Sequence, residues 1–128
     1  MRLLLDTCTF LWLIGDKPLL SDLARSLFAD PANSVYLSVV SSWEIAIENA
    51  AGRLWLPQPP AAYIPRHRRN HGIQSLPLDE AAVLHAARLP RLHADPFDRM
   101  LVCQAIVHGL AILAPDESMA QYPVRVLC

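Results

Sequence analysis

The chain has 128 residues, of which 53% are hydrophobic, and a formal net charge of −1 from 11 basic and 12 acidic residues. This length predicts one domain, residues 1–128, with ample apolar material for a buried core. The balanced charge argues against a protein that coats nucleic acid non-specifically, but it allows a local basic patch. No run approaches the roughly 18 apolar residues that span a membrane. The three cysteines lack metal-binding spacing, which predicts free thiols in a reducing cytoplasm. The early acidic residue Asp6 disfavours a signal peptide.

Strand-forming and helix-forming patterns alternate along the chain. In order, they predict a strand at 3–5, a helix at 9–14, a helix after Ser21, a strand at 35–38, a helix at 41–51, a basic helix at 61–70, a strand at 73–76, a helix at 79–88, a helix at 95–108, a strand at 111–113, a helical turn at 118–121 and a strand at 124–127. This alternation predicts an α/β fold, a three-layer α/β/α sandwich around a central parallel β-sheet.

Four acidic residues fall at the points where this pattern changes. Asp6 and Asp116 follow predicted strands, whereas Glu44 and Asp98 lie in the first turns of predicted helices. In a parallel α/β layer, strands end and helices begin at one edge, and ligands bind there. Four carboxylates without a matching cluster of bases repel one another, and a divalent cation relieves that repulsion. The pattern therefore predicts a Mg²⁺ or Mn²⁺ site and phosphate chemistry.

Each of these carboxylates also has a simpler explanation as a helix cap. Glu44 stands three residues after Ser41, the spacing of a capping box, although Glu48 one turn later favours a cation site over capping alone. Asp6 and Asp116 also suit turns that open short helical segments.

The second acidic pair, Asp95 and Asp98, has the same two explanations. We assign Asp95 mainly to capping before Pro96, and Asp98 mainly to the metal. The neighbouring Arg99 either pairs with Asp95 or contacts a phosphate, and the sequence supports both. His93 is expected in a loop or in an outer layer around the site rather than as a ligand.

A basic stretch lies in the predicted helix at 61–70. Arg66, Arg68 and Arg69 either grip a phosphate backbone or form a solvated helix face, and the sequence favours neither. Cys8, two residues after Asp6, is expected to be a small buried thiol.

Several segments of the chain resemble the PIN-domain family, and within it the VapC-type ribonuclease toxins of toxin–antitoxin pairs. These segments are LLLDT at 3–7, SWEIAI at 42–47 with GRL at 52–54, HADPFDRML at 93–101 and LAPD at 113–116. The resemblance implies a Mg²⁺- or Mn²⁺-dependent endoribonuclease and toxin that cleaves RNA with a metal-activated water. It also implies a homodimer that a cognate VapB-type antitoxin holds inactive.

The resemblance assigns catalytic and metal-binding roles to Asp6, Glu44, Asp98 and Asp116. It also assigns auxiliary positions beside them to Thr7, Asp95 and Arg99.

Four residues depart from what is common in this subgroup. Cys8 replaces a frequent His, Glu48 a Lys, Ala114 a Thr or Ser, and Met119 a Phe. None of them removes a primary carboxylate. The alternative function is a catalytically weakened PIN-like module that binds antitoxin or RNA without cutting. A haloacid-dehalogenase-type phosphatase is disfavoured, because position 8 is not the second acid of an Asp-x-Asp motif.

Overall fold

A computed structural model describes residues 1–128 and contains one sheet of five parallel strands in the order β3-β2-β1-β4-β5. The strands are β1 (Arg2–Leu5), β2 (Ser34–Ser38), β3 (Gln74–Leu76), β4 (Ala111–Leu113) and β5 (Val126–Leu127). The strand order reverses beside β1, which is paired with β2 on one side and with β4 on the other. The carboxyl ends of β1 and β4 therefore border the crevice in which parallel α/β sheets bind ligands.

Six α-helices connect and cover the strands. They are α1 (Thr7–Ile14), α2 (Asp22–Ala29), α3 (Val39–Ala50), α4 (Pro60–Asn70), α5 (Glu80–His85) and α6 (Pro96–His108). Short 3₁₀ turns occupy Ala86–Arg88 and Ser118–Gln121. None of these helices combines the length and apolar character needed to cross a bilayer.

The core is divided by the sheet into two layers, because side chains alternate across each strand. Leu3 and Leu5 pack with buried residues of α1 to α4, among them Phe10. Leu4 points to the opposite face and packs mainly against α6 and the segment that follows β4, including Leu101. Helices thus cover both faces of the parallel sheet, which confirms the predicted three-layer α/β/α sandwich.

Two predicted boundaries are wrong for identifiable reasons. Helix α3 begins at Val39 rather than near Ser41, because Ser38 is both the last residue of β2 and the N-cap, accepting a hydrogen bond from Val40 N. The last strand is shorter than predicted, since Val124 N donates instead to Tyr122 O in a tight turn.

A buried polar contact ties helix α3 to helix α6. Gln104 is fully buried; its Oε1 accepts a hydrogen bond from Ser38 Oγ at 2.5 Å, and its Nε2 donates to Pro77 O at 3.1 Å. Buried polar groups in such a setting are costly to leave unpaired. Gln104 therefore fixes the start of α3 and the end of β3 against α6.

The Gln104→Ala variant is expected to lose about 3 kcal/mol of unfolding free energy, because it leaves a cavity and removes the acceptor of the buried Ser38 hydroxyl. Urea denaturation measures this loss. Gln121→Ala is the matched control: that side chain is exposed and bonds only Ser118 O, so its removal should change stability by less than about 0.5 kcal/mol. Equal losses in the two variants would contradict a special role for Gln104.

Candidate functional site

The candidate site begins where β1 and β4 end side by side. The backbone N–H of Asp6 donates to Leu113 O at 3.0 Å, so Asp6 continues the pairing of the two strands. Asp116 follows β4 three residues later, on the same edge of the sheet. Asp6 and Asp116 therefore come together at the reversal of the strand order, as the sequence predicted.

Asp6 is a buried carboxylate with only one hydrogen-bond donor. Its Oδ1 accepts from Thr9 N at 2.7 Å, which caps helix α1, and the residue is 8% exposed. The pKa of Asp6 is raised to about 6. Burial is the main cause, the negative charges of Asp98 and Glu44 add to it, and hydrogen bonding from Thr9 opposes it. Asp6 therefore has both the cap role and the site position that the sequence offered as alternatives.

Glu44 does not belong to a capping box, because the cap of α3 is Ser38. It lies in the second turn, where its Oε1 accepts a hydrogen bond from Thr7 Oγ1 at 2.6 Å. Ser41, the residue expected to cap, instead places its Oγ 3.0 Å from Thr7 Oγ1. Burial raises the pKa of Glu44, as does the negative charge of neighbouring acids such as Asp95. Thr7 thus aims Glu44 into the site.

Asp95 caps the start of α6 as predicted, whereas the metal-binding role of Asp98 stays a prediction. Asp95 Oδ1 accepts from Phe97 N at 2.8 Å and from Asp98 N at 3.4 Å, so Asp95 is the N-cap. Asp98 Oδ2 lies 2.9 Å from His93 Nε2. Burial raises the pKa of Asp98 although His93 opposes the shift. His93 is thus an outer contact of the site.

Asp116 is the most exposed member of the group. Its Oδ1 accepts a hydrogen bond from Ser118 N at 2.9 Å, and hydrogen bonding to Ser118 lowers the pKa of Asp116. This carboxyl group is therefore ionised at neutral pH.

The acidic side chains line one cleft of about 190 Å³. Its lining consists of Asp6, Thr7, Cys8, Glu44, Asp95, Asp98, Pro115, Asp116, Ser118 and Met119. Five carboxyl groups thus face the cleft, and no Lys, Arg or His side chain lines it. The cleft concentrates negative charge that no protein cation compensates.

The chemistry of this donor set fits a hard divalent cation such as Mg²⁺ or Mn²⁺. Asp6, Glu44, Asp98 and Asp116 each have one carboxylate oxygen bonded to a protein donor and one oxygen without a hydrogen bond. Nowhere in the chain, however, do three or more His, Cys, Asp or Glu side chains stand close enough to share one ion directly. Mutual repulsion explains this separation, and Mg²⁺ commonly keeps several waters and only one or two carboxylates.

Other residues considered from the sequence lie away from this cleft. Glu48 is paired with Arg53 at 2.7 Å on the surface and does not line the cleft, although its negative charge contributes to the raised pKa of Glu44. Arg66, Arg68 and Arg69 are in the second half of α4, which a short connection joins to the amino end of β3, at the opposite edge of the sheet. Their RNA-binding role stays a prediction.

Two expectations near the cleft change with the structure. Cys8 is exposed and lines the cleft, so the expected buried thiol is wrong; loss of water around the thiol and the four nearby carboxylates raise the pKa of Cys8 to about 11. The Arg99 side chain pairs with no carboxylate; it is partly exposed and donates to backbone carbonyls and to Tyr122 Oη. Tyr122 had no sequence pattern to mark it, because its partners are distant along the chain.

The cap role of Asp95 gives a direct test. Asp95→Asn should unfold within about 0.5 kcal/mol of the wild type, because asparagine caps helices as well as aspartate. Asp95→Ala should cost about 1 kcal/mol, because Phe97 N and Asp98 N lose their acceptor. Thermal denaturation followed by circular dichroism distinguishes the two variants. Identical losses in both would show that the charge of Asp95, rather than its hydrogen bonds, stabilises α6.

Comparison with known proteins gives a family and a curated relative. A family model described as the PIN domain matches residues 3–124. Ribonuclease VapC16 of Mycobacterium tuberculosis is 41% identical over 104 residues, which are 80% of this chain and 69% of that protein. All four carboxylates lie within the range that the family model matches.

Solved structures with the same fold come from toxin–antitoxin complexes. VapBC2 from Rickettsia felis, bound to a DNA fragment from their promoter, aligns with a TM-score of 0.74 and 12% identity, over 99% of this chain and 98% of that chain. DNA-bound VapBC from Salmonella typhimurium aligns with a TM-score of 0.71 and 18% identity, over 99% and 97%. At these identities the likeness establishes the fold alone.

Proposed function

The chain belongs to the PIN domain family, and from that premise we propose that it is a metal-dependent endoribonuclease, the toxin of a VapBC-type toxin–antitoxin pair. Residues 1–128 would act as one PIN-like domain. The relative that is 41% identical carries the name of a ribonuclease, and the structural neighbours come from VapBC assemblies.

One observation carries the metal-dependent part of this proposal. Four carboxylates from separate segments of the chain converge on one cleft at the strand reversal, and no cationic side chain lines it. A stable fold does not keep such repulsion without a partner, since uncompensated charges in a partly buried site are costly. Mg²⁺ or Mn²⁺ is the partner whose ligand preference matches an all-oxygen donor set.

The residues of the chain would divide the work as follows. Asp6, Asp98 and Asp116 would hold the ion, one or two of them directly and the rest through its water molecules, and Glu44 would bind directly or through water. When bound, such an ion supplies positive charge beside the scissile phosphate and lowers the pKa of a water molecule. Hydrolysis would join a water oxygen to phosphorus and break the bond to the 3′ oxygen, which would take up the proton that the water loses, leaving a 5′-phosphate and a 3′-hydroxyl.

A cognate VapB-type antitoxin and a second copy of the chain are the proposed protein partners. An apolar groove of about 530 Å³ lies away from the acidic cleft and is lined in part by Leu11, Trp12 and Trp55, the last of them 82% exposed. Exposed aromatic side chains of this kind suit a protein partner. Co-expression with the adjacent antitoxin gene should yield a stable complex that separates only in denaturant.

The second candidate function is a PIN-like module that binds RNA or antitoxin without cutting. It is favoured by the separation of the carboxylates, of which no three stand around a common point. Glu48, which stands where the subgroup commonly has Lys, adds negative charge that raises the pKa of Glu44, while its own partner Arg53 lies 2.7 Å away outside the cleft. Only this second candidate is compatible with a folded protein that ignores divalent ions.

The proposal is tested by incubating total cellular RNA with purified protein freed of its antitoxin, in Mg²⁺, in Mn²⁺ and in EDTA. Discrete products with 5′-phosphate ends should form only with the metals. Asp98→Asn should remove them, whereas Asp30→Asn, an exposed acid whose cap on Ala32 N survives as an amide, should not. Absence of cleavage from a folded protein that also fails to bind Mn²⁺ would support the non-cutting module.

A further inference from the structure

The hydroxyl group of Tyr122 is the meeting point of three hydrogen-bond donors. Leu92 N lies 3.1 Å from its oxygen, His93 N lies 2.9 Å away, and Arg99 Nη1 lies 3.0 Å away. Tyr122 is only 3% exposed, so water does not compete for this oxygen. A single buried phenol thus fixes the backbone of the loop that precedes α6.

The guanidinium group of Arg99 reinforces the same loop. Its Nη1 also donates to Pro90 O at 2.8 Å, while its Nη2 donates to Leu89 O at 3.2 Å and to Ala86 O at 3.4 Å. Together with the bond to Tyr122, these contacts use all four Nη hydrogens. Arg99 therefore keeps only its Nε–H without a protein acceptor, although it follows Asp98 directly.

The loop held in this way carries the only side chain that bonds Asp98. His93 Nε2 lies 2.9 Å from Asp98 Oδ2, and both side chains are about one-quarter exposed. An ionised carboxylate only accepts, so Nε2 carries the proton in this contact. The other oxygen of Asp98 remains free for the cleft.

Tyr122 also belongs to the segment that carries Asp116. It follows the Ser118–Gln121 turn, whose first backbone N–H bonds Asp116, and Tyr122 N donates to Met119 O at 3.2 Å. One hydroxyl group thus connects the loop that orients Asp98 with the turn that orients Asp116. The Tyr122 hydroxyl therefore lies between the segments that carry Asp98 and Asp116, a position that closing a surface loop alone does not require.

We propose that Tyr122 and Arg99 are positioning residues of the acidic cleft, which hold the loop at 89–93 so that His93 keeps Asp98 aimed at the bound ion. This inference rests on the proposed metal-dependent function. Outer partners of metal ligands commonly change metal affinity or activity 10- to 100-fold when they are removed. Their role here is to fix geometry, and neither touches the reacting atoms.

The decisive variant is Tyr122→Phe, which removes one oxygen and keeps the buried ring. We expect about tenfold weaker Mn²⁺ binding by calorimetry, and RNA cleavage that falls at limiting Mn²⁺ and recovers at high Mn²⁺. Tyr63→Phe is the matched control, because Tyr63 is also buried but its hydroxyl makes no protein hydrogen bond and it lies outside the cleft. Unchanged Mn²⁺ affinity and unchanged metal dependence in Tyr122→Phe would overturn the proposal, even if the variant melts earlier.

A metal-free measurement separates this inference from the function on which it rests. In proton NMR spectra, the His93 Nε2–H should be visible and protected in the wild type and should be lost or exchange rapidly in Tyr122→Phe. If the wild type neither binds Mn²⁺ nor cleaves RNA while this change occurs, the proposed function fails and the positioning contact stands. A His93 signal that is identical in both proteins would refute the role of Tyr122 in positioning His93.

Substitutions of His93 provide the test if Tyr122→Phe does not fold. His93→Gln keeps an N–H donor at nearly the position of Nε2, whereas His93→Ala removes it. We expect His93→Gln to retain Mn²⁺ affinity within about threefold of the wild type and His93→Ala to lose about tenfold. Equal affinities in the two variants would show that the donor to Asp98 has no positioning role.

Discussion

The Asp6→Asn variant is expected to lose RNA cleavage by at least about 10²-fold and, without metal, to be more stable than the wild type at pH 7 by about 2 to 3 kcal/mol. Loss of activity follows from the loss of a charged ligand. The gain in stability follows because asparagine keeps the acceptor for Thr9 N while removing a buried charge.

The size and direction of the stability change follow from the pKa of Asp6, which burial raises from 3.8 to about 6 in the folded protein. The folded state therefore holds the proton more tightly than the unfolded state. The stabilising contribution of protonated Asp6 is complete below about pH 3.8 and is lost as the pH rises through about 6. In Asp6→Asn this part of the pH dependence should be absent.

Urea unfolding from pH 4 to pH 8 in the presence of EDTA measures this effect. The wild type should become less stable across that interval more steeply than Asp6→Asn. Asp30→Asn, a change of the same chemistry at an exposed cap, should follow the wild-type curve. If Asp6→Asn were less stable than the wild type at pH 7, the carboxylate would have a compensating partner in the protein and would not need an ion.

Addition of Mn²⁺ at about one hundred times its dissociation constant should stabilise the wild type by about 2.7 kcal/mol, a rise of about 10 °C in melting temperature. The ion supplies a charged partner for the Asp6 carboxylate, whose pKa is raised chiefly by burial and to a smaller extent by the negative charges of Asp98 and Glu44. The stabilisation should be smaller at pH 5 than at pH 7, because at pH 5 the ion must displace the proton of Asp6.

Melting curves with Mn²⁺, Mg²⁺ and no divalent ion test this second prediction. Asp6→Asn should show little shift, whereas Asp22→Asn, an exposed acid in the first turn of α2, should respond as the wild type does. A shift of equal size in all three proteins would assign the effect to general ion binding. No shift in the wild type would favour the non-cutting module.

Much of the fold follows from local rules that the sequence displays. Asp95 followed by Pro96 predicts the start of α6, and Gly109, with a φ of 67°, ends that helix in the left-handed conformation that glycine adopts readily. The apolar runs at β1 and β4 predict buried strands, and the acidic residues after them mark the edge of the sheet. These features depend on neighbours within a few residues.

The remainder depends on contacts between distant residues, which a single sequence does not display. Glu44 had two explanations, and the contact with Thr7, 37 positions away, places it in the site. The start of α3 was wrong because Ser38 suits both a strand end and a helix cap. The roles of Arg99 and Tyr122 depend on a contact across 23 positions.

The pairing of β1 with β4 also determines when the cleft comes into existence during synthesis. Asp6 is made more than a hundred residues before its partner, because its backbone N–H bonds Leu113, and Leu3 likewise pairs with Ala111. Such distant strand pairings form late, since the loop between them must close first. A ribosome that has not yet translated residues 111–116 therefore carries a chain without a complete acidic cleft. If the chain is the ribonuclease proposed above, it cannot cut the RNA around it until those residues have emerged and folded.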